Sequence, residues 1–331
     1  MRTPAAAIVL MACALRAQTV VEVRLPGGLA EVVAAALRAR EPALDVRVAA
    51  RAAAAPPPGA VVIAIEPDLQ RLAAATPLAR LGAIAANSAA VGRGAGDGWL
   101  LPWQLRYAIV LRSRTERAPP GDLEALALAT GLQDRLALCA PEVDPVPWLL
   151  GMQQFLEQGR AETAGFGLWT ALDARAGSYA NDLDTALAAL ADGRADAAVL
   201  PRPLLAARGL PPGCTAVPAG RIDGVPLGFA VAAPAGSGAL ELAARFADAA
   251  DAAGLPGALG LVPVVLERPA LLAGDVERWL EHFDQHVRGR GRSVERVADV
   301  LDYVFLALFA ALVGGFWLHQ RRKQAHPGGV P

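Results

Sequence analysis

The stretch SYANDLDTALAALADGRADAAVLPRPLLA, residues 178–206, decides the fold class. Leucines recur at helical spacing from Leu183 to Leu190 and predict a helix with one apolar face, which ends at Gly193. Residues 197–201 then form an apolar run that ends at a proline, as is typical of a strand buried on both faces. A helix that leads through a tight turn into a buried strand is the repeating unit of an α/β sheet.

The same unit recurs on both sides of this stretch. TVVEVRL, from Thr19, predicts a strand, and the turn Pro26-Gly27-Gly28 leads into a helix over residues 29–40. AVVIAIEPDLQRLAAATPLARL predicts strand, turn and helix, and LPWQLRYAIVLRSR predicts a long strand with aromatic residues near its start. The alternation predicts an α/β fold of mixed sheets flanked by helices.

Composition narrows the possible functions. A chain of 331 residues holds two ordinary domains or one large discontinuous one. The formal net charge is -1 with acids and bases interspersed, so the chain has no basic face for nucleic acid. The cysteines, Cys13, Cys139 and Cys214, have no zinc-site spacing. Whether Cys139 and Cys214 pair stays open, because an oxidising compartment would permit the bond.

The N-terminus has the pattern of an export signal. One arginine precedes an apolar run from Ala5 to Leu15, and a small residue follows at Ala17, so we expect residues 1–17 to be removed. The sequence around Cys13 faintly resembles a lipidation site, which leaves lipidation as a minor alternative.

The C-terminus predicts a membrane anchor. Residues 300–318 form an apolar run of about 28 Å, close to the roughly 30 Å hydrocarbon core. Tyr303 and Trp317 lie near its ends, and the basic residues 321–323 follow it directly. We therefore expect a transmembrane helix over residues 299–319, in contact with membrane lipid, and a cytoplasmic tail over residues 320–331. The rest of the chain would then be periplasmic or otherwise extracytoplasmic, held at the inner membrane.

Four phrases in the chain resemble one family. They are VVIAIEPDLQRLAAATPLARL, LPWQLRYAIVLRSRTERAPPGDLEALA, DTALAALADGRADAAVLPRPL and GFAVAAPAGSGALELAARFADAADAAG. Their order is similar to that of type 2 periplasmic solute-binding proteins of ABC transporters, nearest to the iron, molybdate, thiamine and polyamine binders. The resemblance covers roughly residues 20–263.

The resemblance implies two α/β lobes that close on a ligand by a hinge motion. Lobe 1 would be discontinuous, with residues 18–102 and 222–265, and lobe 2 would hold residues 103–221. Residues 266–298, which are polar and helical, would form a solvated stalk between the lobes and the anchor. The partners would be a small-molecule or ion ligand and an ABC transporter permease. No cofactor and no catalysis are implied.

The expected ligand site lies at the carboxyl ends of strands, where helix N-termini point backbone N–H groups at a ligand. The residues at such turns and at the crossover between lobes are Gly27, Gly28, Glu66, Trp103, Gln104, Tyr107, Asp144, Trp148, Tyr179 and Asp182. Each also has a structural interpretation: a tight turn for the glycines, packing at the hinge for the aromatic residues, and a helix cap for Asp182.

The ligand class stays open at this point. Ferric binders of the family use adjacent tyrosines, whereas Tyr107, Tyr179 and Tyr303 are far apart here, which disfavours direct ferric binding. An oxyanion held by backbone N–H groups and an organic cation held by aromatic rings and acids both fit.

Two other function classes compete with solute capture. The same fold can serve as a ligand-free adaptor in a membrane complex, or as an anchored enzyme, for which Asp182 with Glu66 is the candidate titratable pair. His282 and His286 share a helical face in HFDQH, but the metalloprotease pattern needs a glutamate where Phe283 stands. The glycines of GRGAGDG follow no strand and open no helix, so they predict a loop.

Overall fold

The computed structural model describes residues 19–51, 53–86, 98–113, 120–248, 261–263 and 271–288, with further helical residues at 304–306, 308–309 and 311–317. The expected signal, most of the GRGAGDG loop, Cys13 and the tail at 320–331 lie outside the described residues.

Ten strands and ten α-helices are defined within the described part of residues 19–288. The strands are β1 Val20–Arg24, β2 Asp45–Val48, β3 Val61–Ile65, β4 Trp99–Arg112, β5 Leu136–Cys139, β6 Tyr179–Ala180, β7 Ala197–Pro201, β8 Cys214–Pro218, β9 Gly224–Val231 and β10 Val262–Pro263. The helices are α1 Leu29–Arg40, α2 Glu66–Ala75, α3 Gly82–Ala86, α4 Leu123–Leu128, α5 Val146–Glu157, α6 Glu162–Arg175, α7 Leu183–Ala191, α8 Arg202–Arg208, α9 Ser237–Ala247 and α10 Ala273–His282. A short 3₁₀ turn at Thr130–Leu132 and a π-helical turn at Phe283–Val287 complete the list.

The strands follow the order β2-β1-β3-β9-β4-β7-β5-β6, with β10 and β8 also paired to β4. Strands β1, β2 and β3 are parallel to one another, as are β5, β6 and β7. Strand β9 runs antiparallel to both of its neighbours. The expected mixed α/β architecture is therefore confirmed.

Strand β4 belongs to both halves of this sheet. Its first part, Trp99–Arg106, pairs with β9, and its second part, from Tyr107, pairs with β7 and from Ala108 also with β8. The half-sheet around β1, β3 and β9 is lobe 1, and the half-sheet around β5 and β7 is lobe 2. The chain crosses inside β4 and returns just before Gly224, close to the expected boundaries, which remain predictions.

Burial explains why the central strands are so apolar. Strands β3, β7 and β9 are buried along their whole length, because helices cover both faces of the sheet. The main core cluster runs through both half-sheets, and a second, smaller one lies on the other face of lobe 1, where Leu69 and Leu72 of α2 pack against the sheet.

The chain passes from lobe 1 to lobe 2 within β4 and returns just before Gly224, and the side chain of Asp223 links these two crossings. The carboxylate of Asp223, which is 2% exposed, accepts hydrogen bonds from Arg106 Nε at 2.9 Å and from Arg202 Nη2 at 3.3 Å. Gln154 Nε2 donates to the carbonyl oxygens of Ala219 and Ile222 on the returning segment. Both crossings are therefore fixed by side chains of lobe 2 and of β4 itself.

Residues 271–288, which we term the strap, depart from the expected solvated stalk. Val276, Trp279, Phe283 and Val287 are buried in the main core cluster. They recur every three or four residues and so form one apolar face, which packs against α2 of lobe 1 and α6 of lobe 2. The expectation of a solvated helix is wrong for this segment, because its polar residues occupy only the outer face.

The lobe 1 sheet contains a close approach that admits only glycine. The register of β4 against β9 shifts between Leu100 and Trp103, a bulge that contains Pro102, which cannot donate to the ladder. A methyl group on Gly228, opposite this bulge, would lie 1.9 Å from the carbonyl oxygen of Leu100. Backbone atoms form the contact, so no side-chain rotation relieves it.

We expect Gly228→Ala to lower the free energy of unfolding by about 3 kcal/mol or more, because the bulged backbone must move. The control is Gly167→Ala on the exposed face of α6, where an added methyl group meets nothing within 4 Å and where alanine favours the helix by up to about 1 kcal/mol. Urea unfolding of both variants measures the difference. Equal stability of the two variants would contradict the described bulge.

Candidate functional site

The turn between β1 and α1 in lobe 1 directly meets the start of α7 in lobe 2. A methyl group on Gly27 would lie 3.7 Å from Asp182 Cβ, and one on Gly28 would lie 3.0 Å from Asp184 Oδ2. Gly28 has a φ of 81°, which glycine adopts without strain. The predicted residues Gly27, Gly28 and Asp182 are thus brought together at the contact between the lobes.

An open groove flanks this contact on one side. It has a volume of about 460 Å³ and lies between α1 of lobe 1 and α8 of lobe 2. Its lining residues are Glu31, Val32, Ala35, Ala36, Pro203, Ala206, Ala207 and Arg208. The lobes therefore touch at the glycine turn and leave a space between their helices beside it.

Asp144 is the most deeply buried acid near the crossing. It lies in the turn between β5 and α5 and is 0% exposed. Its Oδ1 accepts hydrogen bonds from the Tyr107 hydroxyl and the Val146 backbone N–H, each at 3.1 Å, while its Oδ2 has no hydrogen-bond partner. Burial raises the pKa of Asp144 from 3.8 to about 6, against the opposing effects of these two donors and of Arg51.

Arg51 of lobe 1 is a charged residue of the candidate site that the sequence pattern did not indicate. It follows β2 and forms a two-pronged ion pair with Asp68, with Nε–Oδ2 at 2.8 Å and Nη2–Oδ1 at 3.1 Å. Arg71 Nη1 contacts the same carboxylate at 2.8 Å. The positive charge of Arg51 also lowers the pKa of both Asp144 and Tyr107, which places it electrostatically close to that lobe 2 pair.

Tyr107 itself is fully buried, and burial is the main cause that raises its pKa well above the usual value of 10. Its hydroxyl therefore remains a neutral donor to Asp144 at physiological pH. The predicted residues Tyr107 and Asp144 thus form one hydrogen-bonded pair that joins β4 to the first turn of α5.

Trp148 and Tyr179 lie in an aromatic cluster closed by the strap. Trp148 Nε1 donates to the Cys139 carbonyl oxygen at 3.1 Å, and its ring centroid is 4.6 Å from that of Phe283. Tyr179 and Trp169 also pack against Phe283, and the Tyr179 hydroxyl donates to Asp173. A residue of the strap therefore covers two predicted site residues of lobe 2.

Glu66 also contacts the strap, from the lobe 1 side. Its Oε2 accepts a hydrogen bond from the Leu271 backbone N–H at 3.2 Å. Gln70, one turn later, donates to the Leu271 carbonyl oxygen at 3.0 Å and accepts from the Ala273 N–H at 2.8 Å. The start of the strap is therefore fixed to the first two turns of α2.

Ion pairs extend the strap's contacts to both lobes. Glu277 contacts Arg71 of lobe 1 at 2.7 Å. Arg278 forms a two-pronged pair with Glu162 of lobe 2, at 2.7 and 2.8 Å. Arg288 pairs with Glu142, in the turn that contains Asp144. The strap therefore bridges the two lobes.

Two predicted residues lie away from this junction. Trp103 packs in the lobe 1 core, with ring centroids 6.0 Å from Phe229 and 5.9 Å from Phe246. Gln104 is 3% exposed and its side chain lies against Gly224 of β9. We therefore leave both out of the proposed ligand site.

Cysteines and histidines supply no metal site within the described residues. Cys139 and Cys214 are free thiols. His282 stacks on Phe166 with centroids 3.8 Å apart and lies 4.7 Å from the His286 ring. No group of three or more metal-ligating side chains is found in the described part of the chain.

Comparison with solved structures identifies the fold. The chain superposes on the periplasmic binding protein P5PA with a TM-score of 0.60 at 12% identity, covering 82% of this chain and 99% of that one. Iron-bound HitA from Pseudomonas aeruginosa gives 0.60 at 16% identity over 82% and 99% of the two chains. AfuA from Actinobacillus pleuropneumoniae, solved with exogenous fructose-6-phosphate bound, gives 0.58 at 11% identity over 82% and 98%.

These likenesses confirm the expected two-lobed fold of periplasmic solute-binding proteins. No protein-family model matches the chain, and no curated protein matches it. At 11–16% identity the likeness shows the fold alone.

We expect Asp144→Asn to stabilise the protein in a pH-dependent way. The carboxyl group of Asp144 has a pKa of about 6 when folded and an ordinary value of 3.8, so its contribution to stability falls as pH rises from about 4 to 6. Asparagine keeps an oxygen for Tyr107 and Val146 and does not ionise. The variant should gain roughly 3 kcal/mol at pH 7.5 and nothing at pH 4.

Urea unfolding from pH 4 to 8 measures this gain, with Asp192→Asn, an exposed acid paired only locally with Arg194, as the control. A gain that does not vary with pH would show that Asp144 is not buried as an ionised group.

We expect Phe283→Ala to lower the free energy of unfolding by about 3 kcal/mol or more, since it removes the ring that fills the aromatic cluster. Amide hydrogen exchange should rise across residues 273–287 and at the Gly27-Gly28 turn, where the lobes meet. Leu272→Ala is the control, because Leu272 is 53% exposed and its loss should change stability by less than about 0.5 kcal/mol. Unchanged exchange in Phe283→Ala would contradict the bridging role of the strap.

Proposed function

We propose that this chain is an extracytoplasmic solute-binding protein, tethered to the inner membrane, that captures a small ligand for an ABC-type importer. The observation that carries the proposal is the meeting of two half-sheets that share β4, with the strand-to-helix turns of both lobes in contact at Gly27 and Asp182. Ligands of open α/β sheets bind at such turns. Separation of the lobes would admit a solute, and closure would hold it.

The tether is supported by the apolar side chains near the C-terminus. Among the helical residues at 304–306, 308–309 and 311–317, the large apolar side chains are exposed, with Phe305, Phe309 and Leu312 at 69, 69 and 73%. Exposure of this kind marks a surface that is covered by a membrane or a partner. Within the described residues, no helix meets the length and hydropathy needed to cross a bilayer.

The positions of the terminal segments complete the proposal. An export signal at 1–17 and basic residues at 321–323 would place the lobes outside the cytoplasm and the tail inside. Tethering would hold the binding lobes close to the permease, which raises their effective concentration there. The reaction would be capture and release, without bond formation.

The second candidate is a ligand-free adaptor with the same fold. It is favoured by the direct contact of the lobes at Gly27 and by the strap, whose Phe283 fills the aromatic cluster of lobe 2. An enzyme based on Glu66 with Asp182 is less well supported. Glu66 accepts from the strap backbone, and Asp182 caps α7 by accepting from the Thr185 N–H at 2.6 Å.

We expect the full chain to be extracted from membranes only by detergent, and a matched chain that ends at Arg288 to be recovered in the soluble fraction. Native mass spectrometry of both, purified without refolding, should show the same retained small molecule. Retention by neither chain, together with no change in melting temperature across a panel of solutes, would favour the adaptor. Recovery of the full chain without detergent would contradict the tether.

A further inference from the structure

We infer that the captured solute is a small organic cation, bearing an ammonium or guanidinium group, and that the Asp144 carboxylate receives that group. This inference rests on the proposed function and names the ligand class, which the sequence left open between an oxyanion and an organic cation.

Asp144 has one carboxylate oxygen in use and one without a partner. Both described donors, the Tyr107 hydroxyl and the Val146 N–H, go to Oδ1, whereas Oδ2 has none although the residue is 0% exposed. Buried carboxylate oxygens in native proteins are almost always paired. The partner that stabilises such an oxygen most is a charged donor, since N⁺–H···O⁻ hydrogen bonds are roughly twice as strong as neutral ones.

Acidic side chains of the chain itself lie at the N-termini of three helices near the junction, α5, α7 and α2. Asp144 accepts from the first N–H of α5, and Asp182 accepts from Thr185 in the first turn of α7. In α2, Glu66 and Asp68 both lie in the first turn, and Pro67 between them has no N–H. The carboxylates at these three N-termini repel a second anion.

Arg51, the guanidinium that acts electrostatically on Asp144, is likewise committed. Its Nε and Nη2 atoms both donate to the Asp68 carboxylate, which also accepts from Arg71. An incoming phosphate or carboxylate would have to break this two-pronged pair, whereas a cation can leave it in place.

A cation at Oδ2 would also change the titration of Asp144. The titratable or charged groups that act on Asp144 from the surrounding elements are Tyr107 on β4, Cys139 on β5 and Arg51 after β2. The pKa of Asp144 itself, about 6, lies in the range where solution pH is easily varied. Cation binding requires the ionised form, so affinity should fall about 10-fold for each pH unit below 6.

The test uses the full chain in detergent, with putrescine, choline and agmatine as cationic probes and phosphate, sulfate and citrate as anionic probes. Native mass spectrometry identifies any solute that co-purifies, and thermal denaturation ranks the probes. We expect a cation to raise the melting temperature of the wild type, and Asp144→Asn to bind it about 10-fold or more weakly. Asp192→Asn should bind as the wild type does.

The outcomes separate the inference from the function on which it rests. Stabilisation by an anion alone, or co-purification of one, overturns the cationic class but leaves solute capture intact. Equal binding of a cation by the wild type and Asp144→Asn, without loss of affinity below pH 6, overturns the role of Asp144. No retained solute and no shift with any probe overturns solute capture itself. The pH series on the wild type needs no variant, so it decides the role of Asp144 even if Asp144→Asn does not fold.

Discussion

Strand β4 runs through both halves of the sheet, and its backbone hydrogen bonds change partner between Arg106 and Tyr107. The main-chain bonds on each side hold the strand to a different lobe, so any movement of one lobe against the other must bend the chain at this point. Asp223 receives both Arg106 and Arg202 here, and thereby links the outgoing and the returning crossing. The positions of Tyr107 and Asp144, and hence the candidate site, follow from this shared strand.

The strap closes the junction mainly through apolar contact. Its ion pairs with the lobes, Arg71–Glu277, Arg278–Glu162 and Arg288–Glu142, involve side chains that are one-third to more than one-half exposed, and such pairs contribute about 0–1 kcal/mol each. Burial of the Phe283 and Trp279 side chains is worth more, roughly 1.5–3 kcal/mol for each large side chain. The strap is therefore held by its apolar face, and the charged residues fix where along the lobes it lies.

Local pattern predicted the elements well and the long-range contacts poorly. Helix α1 has the bounds that the glycine turn and the following apolar spacing indicated. Of the two roles predicted for Asp182, a ligand contact and a helix cap, the structure shows the cap of α7. The Tyr107–Asp144 contact joins residues 37 positions apart, and it depends on strand register that no local pattern specifies. Arg51 follows a strand in an alanine-rich, proline-rich segment without periodicity, so nothing in the sequence indicated its pairing with Asp68. The apolar spacing of the strap was present in the sequence but was outweighed by its many charged residues.

The position of β9 also sets the order in which the molecule can be assembled. In the sheet β9 lies between β3 and β4, yet the ribosome makes it after all of β5–β8. During synthesis lobe 2 can complete its own sheet against the second part of β4. The edges of β3 and of the first part of β4 that will pair with β9 stay unpaired until β9 is made. Unpaired strand edges attract other chains. These two edges therefore stay open until Gly224–Val231 has been made and fills the gap between them.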